Sequence, residues 1–292
     1  MTEPTIPQDP PASWASRLKT VLFLAACFAV GAGLAKYALP LALKYRGGAV
    51  IDPHEIDRST APLPVLRGLD LTASRRFDPA LLKSINANAV SLNVADVEAR
   101  RIAASAGLEI IVSGDRNTPV TPANSGTITC VVRIKRAEDL PDAVLPTLRK
   151  SYSGKILLAL PFDEVARVPN LHLVDYIGLY GQVPLNLKPD PDVASLRVGW
   201  QNHLDTAEAI ARRFGCKIIL LDLAFDPAVH PGAPFVDTHE PRPDLALATY
   251  EALLLETRGR ETVAGVFLTW PPKLQPNHEN ELLDLLKKNW SK

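Results

Sequence analysis

The stretch WQNHLDTAEAIARRFGCKIILLDLA, residues 200–224, holds one complete structural unit. Its first part is a helical pattern that stops at Gly215, a residue suited to the position just past a helix C-terminus. Its second part, KIILLDLA, is almost continuously apolar, as a strand buried on both faces must be. A helix leading directly into a doubly buried strand is the repeating unit of a parallel sheet, because parallel strands need long crossovers.

The same unit recurs along the chain. Short apolar runs occur at GLDL (68–71), AVSLNV (89–94), LEIIVSG (108–114), TCVVRI (129–134), KILLALP (155–161), DYIGLYG (175–181), KIILLDLA (217–224) and AGVFLTW (264–270). Between them lie the helical patterns DPALLKSI, VEARRIAASAG, LPDAVLPTLRKSY and LALATYEALLLETRG, besides the one already quoted. A doubly wound open sheet would allow this alternation, but no G-x-G-x-x-G follows the first strand, which weighs against a dinucleotide fold. The count of eight predicts an α/β fold of the (β/α)8 TIM-barrel type, near the small end of that class. The final segment ENELLDLLKKNW reads as an amphipathic helix closing the barrel, with Leu282, Leu285 and Leu286 as its apolar stripe.

Ahead of the barrel, residues 1–19 form a polar, proline-rich leader expected to be disordered. Residues 20–43 carry Lys36 as their single charge. That is long enough for a bilayer core of roughly 30 Å, which needs about 20 apolar residues. Lys36 can snorkel to the interface beside Tyr37. The long polar leader and the lack of a clear cleavage site favour an uncleaved transmembrane anchor over a signal peptide. Residues 44–66 then read as a stalk and 67–292 as the barrel. Arg17 and Lys19 before the span are balanced by Lys36, Lys44 and Arg46, so charge does not decide the orientation.

Lys plus Arg and Asp plus Glu both number 32, giving zero formal net charge, and no basic run interleaves with aromatics. A nucleic-acid partner is therefore not expected. Cys27, Cys130 and Cys216 show no C-x-x-C spacing, and His172, His203, His230 and His239 show no ligand spacing. No metal or cofactor is expected, and the cysteines read as buried thiols.

A TIM barrel places its chemistry at the C-terminal strand ends. Those ends offer Asp70, Asn93 with Asp96, Asp115 with Arg116, Arg133 with Lys135, Asp163, Tyr180 with Gln182, Asp222 with Asp226, and Trp270. The set describes a polar cleft, with Trp270 as a surface on which a sugar ring can stack. Trp200, read as opening its helix, is expected to pack rather than to bind.

Four segments resemble glycoside hydrolase family 113, the β-mannanase-like branch of the retaining (β/α)8 clan. They are SYSGKILLAL (151–160), VDYIGLYGQVPL (174–185), LRVGWQNHLDTAEAIARRFGCKIILLDLAFDP (196–227) and YEALLLETRGRETVAGVFLTWPP (250–272), with INANAVSLNV (85–94) a weaker match. The resemblance implies a nucleophilic carboxylate on the seventh strand, where this chain has Asp222. It also implies a Glu acid/base at the end of strand four, where this chain has Arg133 and Lys135.

A retaining glycosidase needs two carboxyl groups about 5–5.5 Å apart. Asp in place of Glu shortens the reach by about 1.5 Å, and arginine donates no proton near neutral pH. The preferred reading is a membrane-anchored pseudo-hydrolase on the extracytoplasmic side that binds a cell-envelope or secreted polysaccharide. Asp222 would then pair with the basic end of strand four. Asp70, Asn93, Asp115, Arg133, Lys135, Tyr180, Gln182, Asp226 and Trp270 would contact the glycan. Two alternatives stand beside it: an active β-glycosidase with a rewired carboxylate pair, and a structural subunit of an envelope or polysaccharide-export complex with an envelope protein as partner.

Overall fold

A computed structural model describes residues 61–71, 77–113, 128–181, 183–185, 191–225, 241–270 and 275–291. The predicted anchor at 20–43 lies outside these residues. Among the described residues no helix is long and apolar enough to cross a membrane.

Eight parallel strands close into a barrel in sequence order. They are β1 (Leu66–Asp70), β2 (Ala89–Asn93), β3 (Glu109–Ser113), β4 (Ile128–Arg133), β5 (Ile156–Pro161), β6 (Tyr176–Tyr180), β7 (Lys217–Leu223) and β8 (Val263–Thr269). Each predicted strand forms, and β8 pairs with β1 from Leu66↔Gly265 to Asp70↔Thr269, so the sheet is closed and the open-sheet alternative is excluded.

The described helices are α1 (Pro79–Ser84), α2 (Val97–Ser105), α3 (Val144–Ser151), α4 (Val193–Phe214), α5 (Pro243–Thr257) and α6 (Pro276–Trp290). Gly107, Gly215 and Gly259 adopt φ values of 72°, 72° and 69° just beyond α2, α4 and α5. Glycine alone reaches that region without a Cβ penalty. The β5–β6 crossover carries two 3-10 turns, Val165–Arg167 and Leu171–Leu173, in place of a full helix.

Helix α4 starts earlier than its sequence pattern indicates. Asp192 accepts the Ser195 backbone N–H at 2.8 Å and caps the helix before Val193. Trp200 therefore sits inside α4 rather than at its start. It is fully buried, with ring centroids 6.1 Å from Phe162 and 5.9 Å from Phe225, which is the packing role expected of it.

Two apolar layers divide the barrel. Inside it Ile111, Leu157, Ile219, Leu221 and Phe267 pack together. Outside, Val90, Leu158, Leu220 and Leu223 meet the helices, including Leu282 and Leu286 of α6. The chain is tied to the barrel before β1 begins: the Gly259 N–H donates to the Pro62 carbonyl at 2.8 Å, and Arg67 Nη1 to the Pro64 carbonyl at 3.1 Å.

Candidate functional site

The site is built around Asp222, and the backbone there departs from regular strand geometry. Along β7, Ile219 and Leu221 face the barrel interior while Ile218 and Leu220 face the helices. Simple alternation would send Asp222 outward with Leu220. Instead the β7–β8 register jumps from Leu220↔Val266 to Leu223↔Leu268, which leaves one extra residue on β7. Asp222 occupies this bulge with φ 49°. Aspartate is among the few non-glycine residues that tolerate that region, and bulges recur where a side chain must be re-aimed near a site.

So turned, Asp222 meets strand four. Arg133 Nη2 donates to Asp222 Oδ2 at 2.5 Å, and each of the two side chains is 32% exposed. The second oxygen, Oδ1, accepts from Thr269 Oγ1 at 2.8 Å. The Arg133 guanidinium lies 4.2 Å from the Tyr180 ring centroid, a cation–π arrangement that holds its plane. Tyr180 is itself fixed, its hydroxyl donating to the Ile134 carbonyl at 2.6 Å.

Burial pushes the Arg133 pKa down, but the hydrogen bond and charge of Asp222, then the charges of Asp70 and Tyr180, outweigh it and hold Arg133 above its ordinary value. Arg133 is thus a fixed cation at every accessible pH. Asp70, at the end of β1, is 4% exposed and contributes to the field on Arg133.

The remaining sequence-derived candidates divide. Trp270 is half-buried, and its Nε1 donates to Glu279 Oε1 at 3.0 Å. Asn93 is exposed and spends its Oδ1 on the Ala95 N–H at 2.9 Å, a local turn. Lys135 is exposed; Arg133, not Lys135, makes the ion pair with Asp222. Asp115, Gln182, Asp226, Arg116, His230 and His239 lie outside the described residues. Thr269 was not singled out from sequence. Its signal was present, since it stands two residues beyond the inward Phe267 and so shares its face.

The carboxylates just beyond β4 and β5 make other contacts or face solvent. Glu138 is exposed and pairs with Arg136 at 2.8 Å. Glu164 accepts the Ala137 N–H at 2.9 Å and pairs with Arg167 at 3.0 Å, while Asp163 is exposed. Among the described residues, no group of three or more His, Cys, Asp or Glu could hold a metal ion. A cavity of about 800 Å³ lined by Arg67, Lys83, Leu108 and Trp290 lies at the opposite, N-terminal end of the strands and takes no part in this chemistry.

Solved structures of glycoside-hydrolase barrels superpose on this chain. A GH113 β-1,4-mannanase superposes with a TM-score of 0.54 at 13% identity, covering 78% of this chain and 99% of that one. This chain has a GH113-like barrel fold. The GH113 β-mannanase AaManA from Alicyclobacillus acidocaldarius gives a TM-score of 0.53 at 10% identity, covering 80% of this chain and 99% of that chain. The cellulose synthase subunit Z from Clostridioides difficile gives 0.51 at 11% identity, covering 76% and 99%. No protein-family model matches the sequence, and no curated protein matches it. At these identities the likeness concerns the GH113-like fold, and chemistry must be argued from side chains.

Within that fold, Asp222 and Arg133 form a closed couple. Both oxygens of Asp222 are engaged, one by a cation and one by a hydroxyl. The arrangement offers donors and acceptors to a polar ligand. Among the described residues, the end of β4 presents an arginine, which keeps its proton.

Proposed function

We propose that this chain is a membrane-anchored, glycoside-hydrolase-like barrel that binds a cell-envelope or secreted polysaccharide without hydrolysing it efficiently. One observation carries the reading: Arg133 stands at the strand-four end and donates to Asp222 at 2.5 Å. Hydrolysis with retention needs a proton donor there and a carboxylate free to attack. Binding needs neither. It needs fixed hydrogen-bonding groups in a polar cleft, which Arg133, Asp222, Asp70 and Thr269 provide, with Trp270 at the rim for a sugar face.

Three neighbours support a glycan ligand. The GH113 structures are of β-mannanases, and one further neighbour is by name a subunit of a cellulose synthase. The anchor and the extracytoplasmic location rest on residues 20–43 and on where such a polymer is found.

The test is turnover against binding. The purified protein is expected to release no product from β-1,4-manno-oligosaccharides or related β-glycans over long incubation. It is expected to be retarded in a gel containing a polysaccharide ligand, with Asp222→Ala reducing the retardation. Robust hydrolysis abolished by Asp222→Asn overturns the reading and establishes an active glycosidase instead.

A further inference from the structure

The bulge that turns Asp222 into the barrel mouth places a burden on the backbone around it. Beyond Leu223 the β7–β8 ladder has ended. The N–H of Phe225, three residues past Asp222, must therefore find a partner off the sheet. It donates to the hydroxyl of Tyr250 at 3.2 Å. That hydroxyl donates in turn to the carbonyl of Thr269 at 3.0 Å, and the Thr269 side chain holds Asp222 Oδ1 at 2.8 Å.

These bonds close a ring: Asp222, along the chain to Phe225, through the Tyr250 hydroxyl to Thr269, and back to Asp222. Tyr250 projects from α5, outside the barrel, and is 0% exposed. Its ring meets Phe225 edge-on, with centroids 4.6 Å apart at 72°. Burial raises its pKa well above the ordinary tyrosine value, so the hydroxyl stays protonated and keeps its one donor role. A phenylalanine would fill the same space. The hydroxyl is needed only for the two strand ends, the ones that carry Asp222 and its Thr269 partner.

We propose that Tyr250 is a positioning residue for the mouth, clamping β7 and β8 so that the bulge presents Asp222 to Arg133. The inference rests on this bond ring alone and stands whether or not the barrel hydrolyses a glycan.

The experiment is a double-mutant cycle between Arg133→Gln and Asp222→Asn, measured by urea unfolding of the full chain in the Tyr250 and Tyr250→Phe backgrounds. In the parent background the pair should couple by about tenfold in the unfolding equilibrium constant, within the range for contacting residues. Tyr250→Phe keeps the ring, and the coupling should fall below about threefold. A tyrosine that merely packs would lower stability and leave the coupling at its parent value, and that result overturns the proposal. A second measurement needs no variant. In the parent protein the Phe225 amide should exchange as slowly as the strand amides of β7, whereas exchange at the rate of an open loop overturns the clamp.

Discussion

Replacing Arg133 by glutamate would place a carboxylate at the end of strand four, and its cost can be worked from the geometry. Arg133 Nη2 lies 2.5 Å from Asp222 Oδ2. Glutamate falls short of arginine by about 2.5 Å of reach at ordinary bond lengths, so the new carboxylate stands roughly 5 Å from Asp222. Two like charges at about 5 Å repel by about 3 kcal/mol at an effective dielectric near 20. That equals about 2.4 pKa units, so the pair retains one proton up to about pH 6–7.

The lost ion pair adds a separate cost. A charge-assisted hydrogen bond contributes about 1.5–3 kcal/mol, discounted here to about 1–2 kcal/mol because each side chain is 32% exposed. Arg133→Gln isolates that second cost. Arg133 has a raised pKa in the folded protein, so its stabilisation is complete below the ordinary arginine value and is lost only as pH rises through the folded one. The Gln variant should therefore show the same deficit at pH 5 and pH 8. The Glu variant contains a carboxyl whose folded pKa is raised, so its stability is full below the ordinary glutamate value near 4 and falls as pH rises from there to about 6–7. Urea unfolding should put Arg133→Glu only about 1 kcal/mol below Arg133→Gln at pH 5. At pH 8 Arg133→Glu should be less stable than Arg133→Gln by about 3 kcal/mol. A Glu–Gln difference at pH 8 below about 0.5 kcal/mol would refute the placement of these two groups.

Two further outcomes follow from the same structure. Arg260 is 5% exposed and holds Asp205 at 2.6 Å and Glu208 at 2.8 Å, with Glu256 at 3.6 Å; Arg260→Met strands buried carboxylates and should cost about 3–5 kcal/mol in chemical denaturation, a loss under about 1 kcal/mol counting against the network. Asp222→Asn and Asp222→Val both remove the charge, but valine at φ 49° should be less stable than asparagine by on the order of 1–2 kcal/mol, and equal unfolding midpoints would mean the bulge relaxes.

The barrel was legible because its strands announce themselves one at a time. KILLALP and KIILLDLA are too apolar for any surface segment, and glycines at 107, 215 and 259 mark where the preceding helices stop. The closure of β8 on β1 has no local signal; it rested on the count of eight. The start of α4 was missed because the cap, Asp192, sits in a proline-rich run that resembles a loop until its side chain is seen taking the Ser195 N–H. The β5–β6 crossover showed no helical period, and its two 3-10 turns explain why.

The site was legible only in part, and the dividing line is a single residue. Period-two alternation says that Asp222 shares the outward face of Leu220, where an acid against a helix layer would be a defect. The resemblance to a hydrolase says that the same residue faces the mouth. Both readings are correct about their own premise, and the extra residue at Leu221–Asp222 reconciles them by inverting the parity of the strand end. No hydropathy pattern encodes that inversion, because the apolar run continues through it unchanged. A glycine at the positive-φ position would have been a visible sign of a bulge. The aspartate hides the sign because it serves two purposes at once, tolerating the left-handed backbone and supplying the carboxylate. Local rules and site chemistry conflict at functional positions more than elsewhere. Here the conflict is settled by bonds that reach Asp222 from three other elements: Arg133 of β4, Thr269 of β8 and, through the backbone, Tyr250 of α5. A residue of positive φ tied from three sides has its placement over-determined, so the strand end keeps its bulge in place of regular period-two geometry.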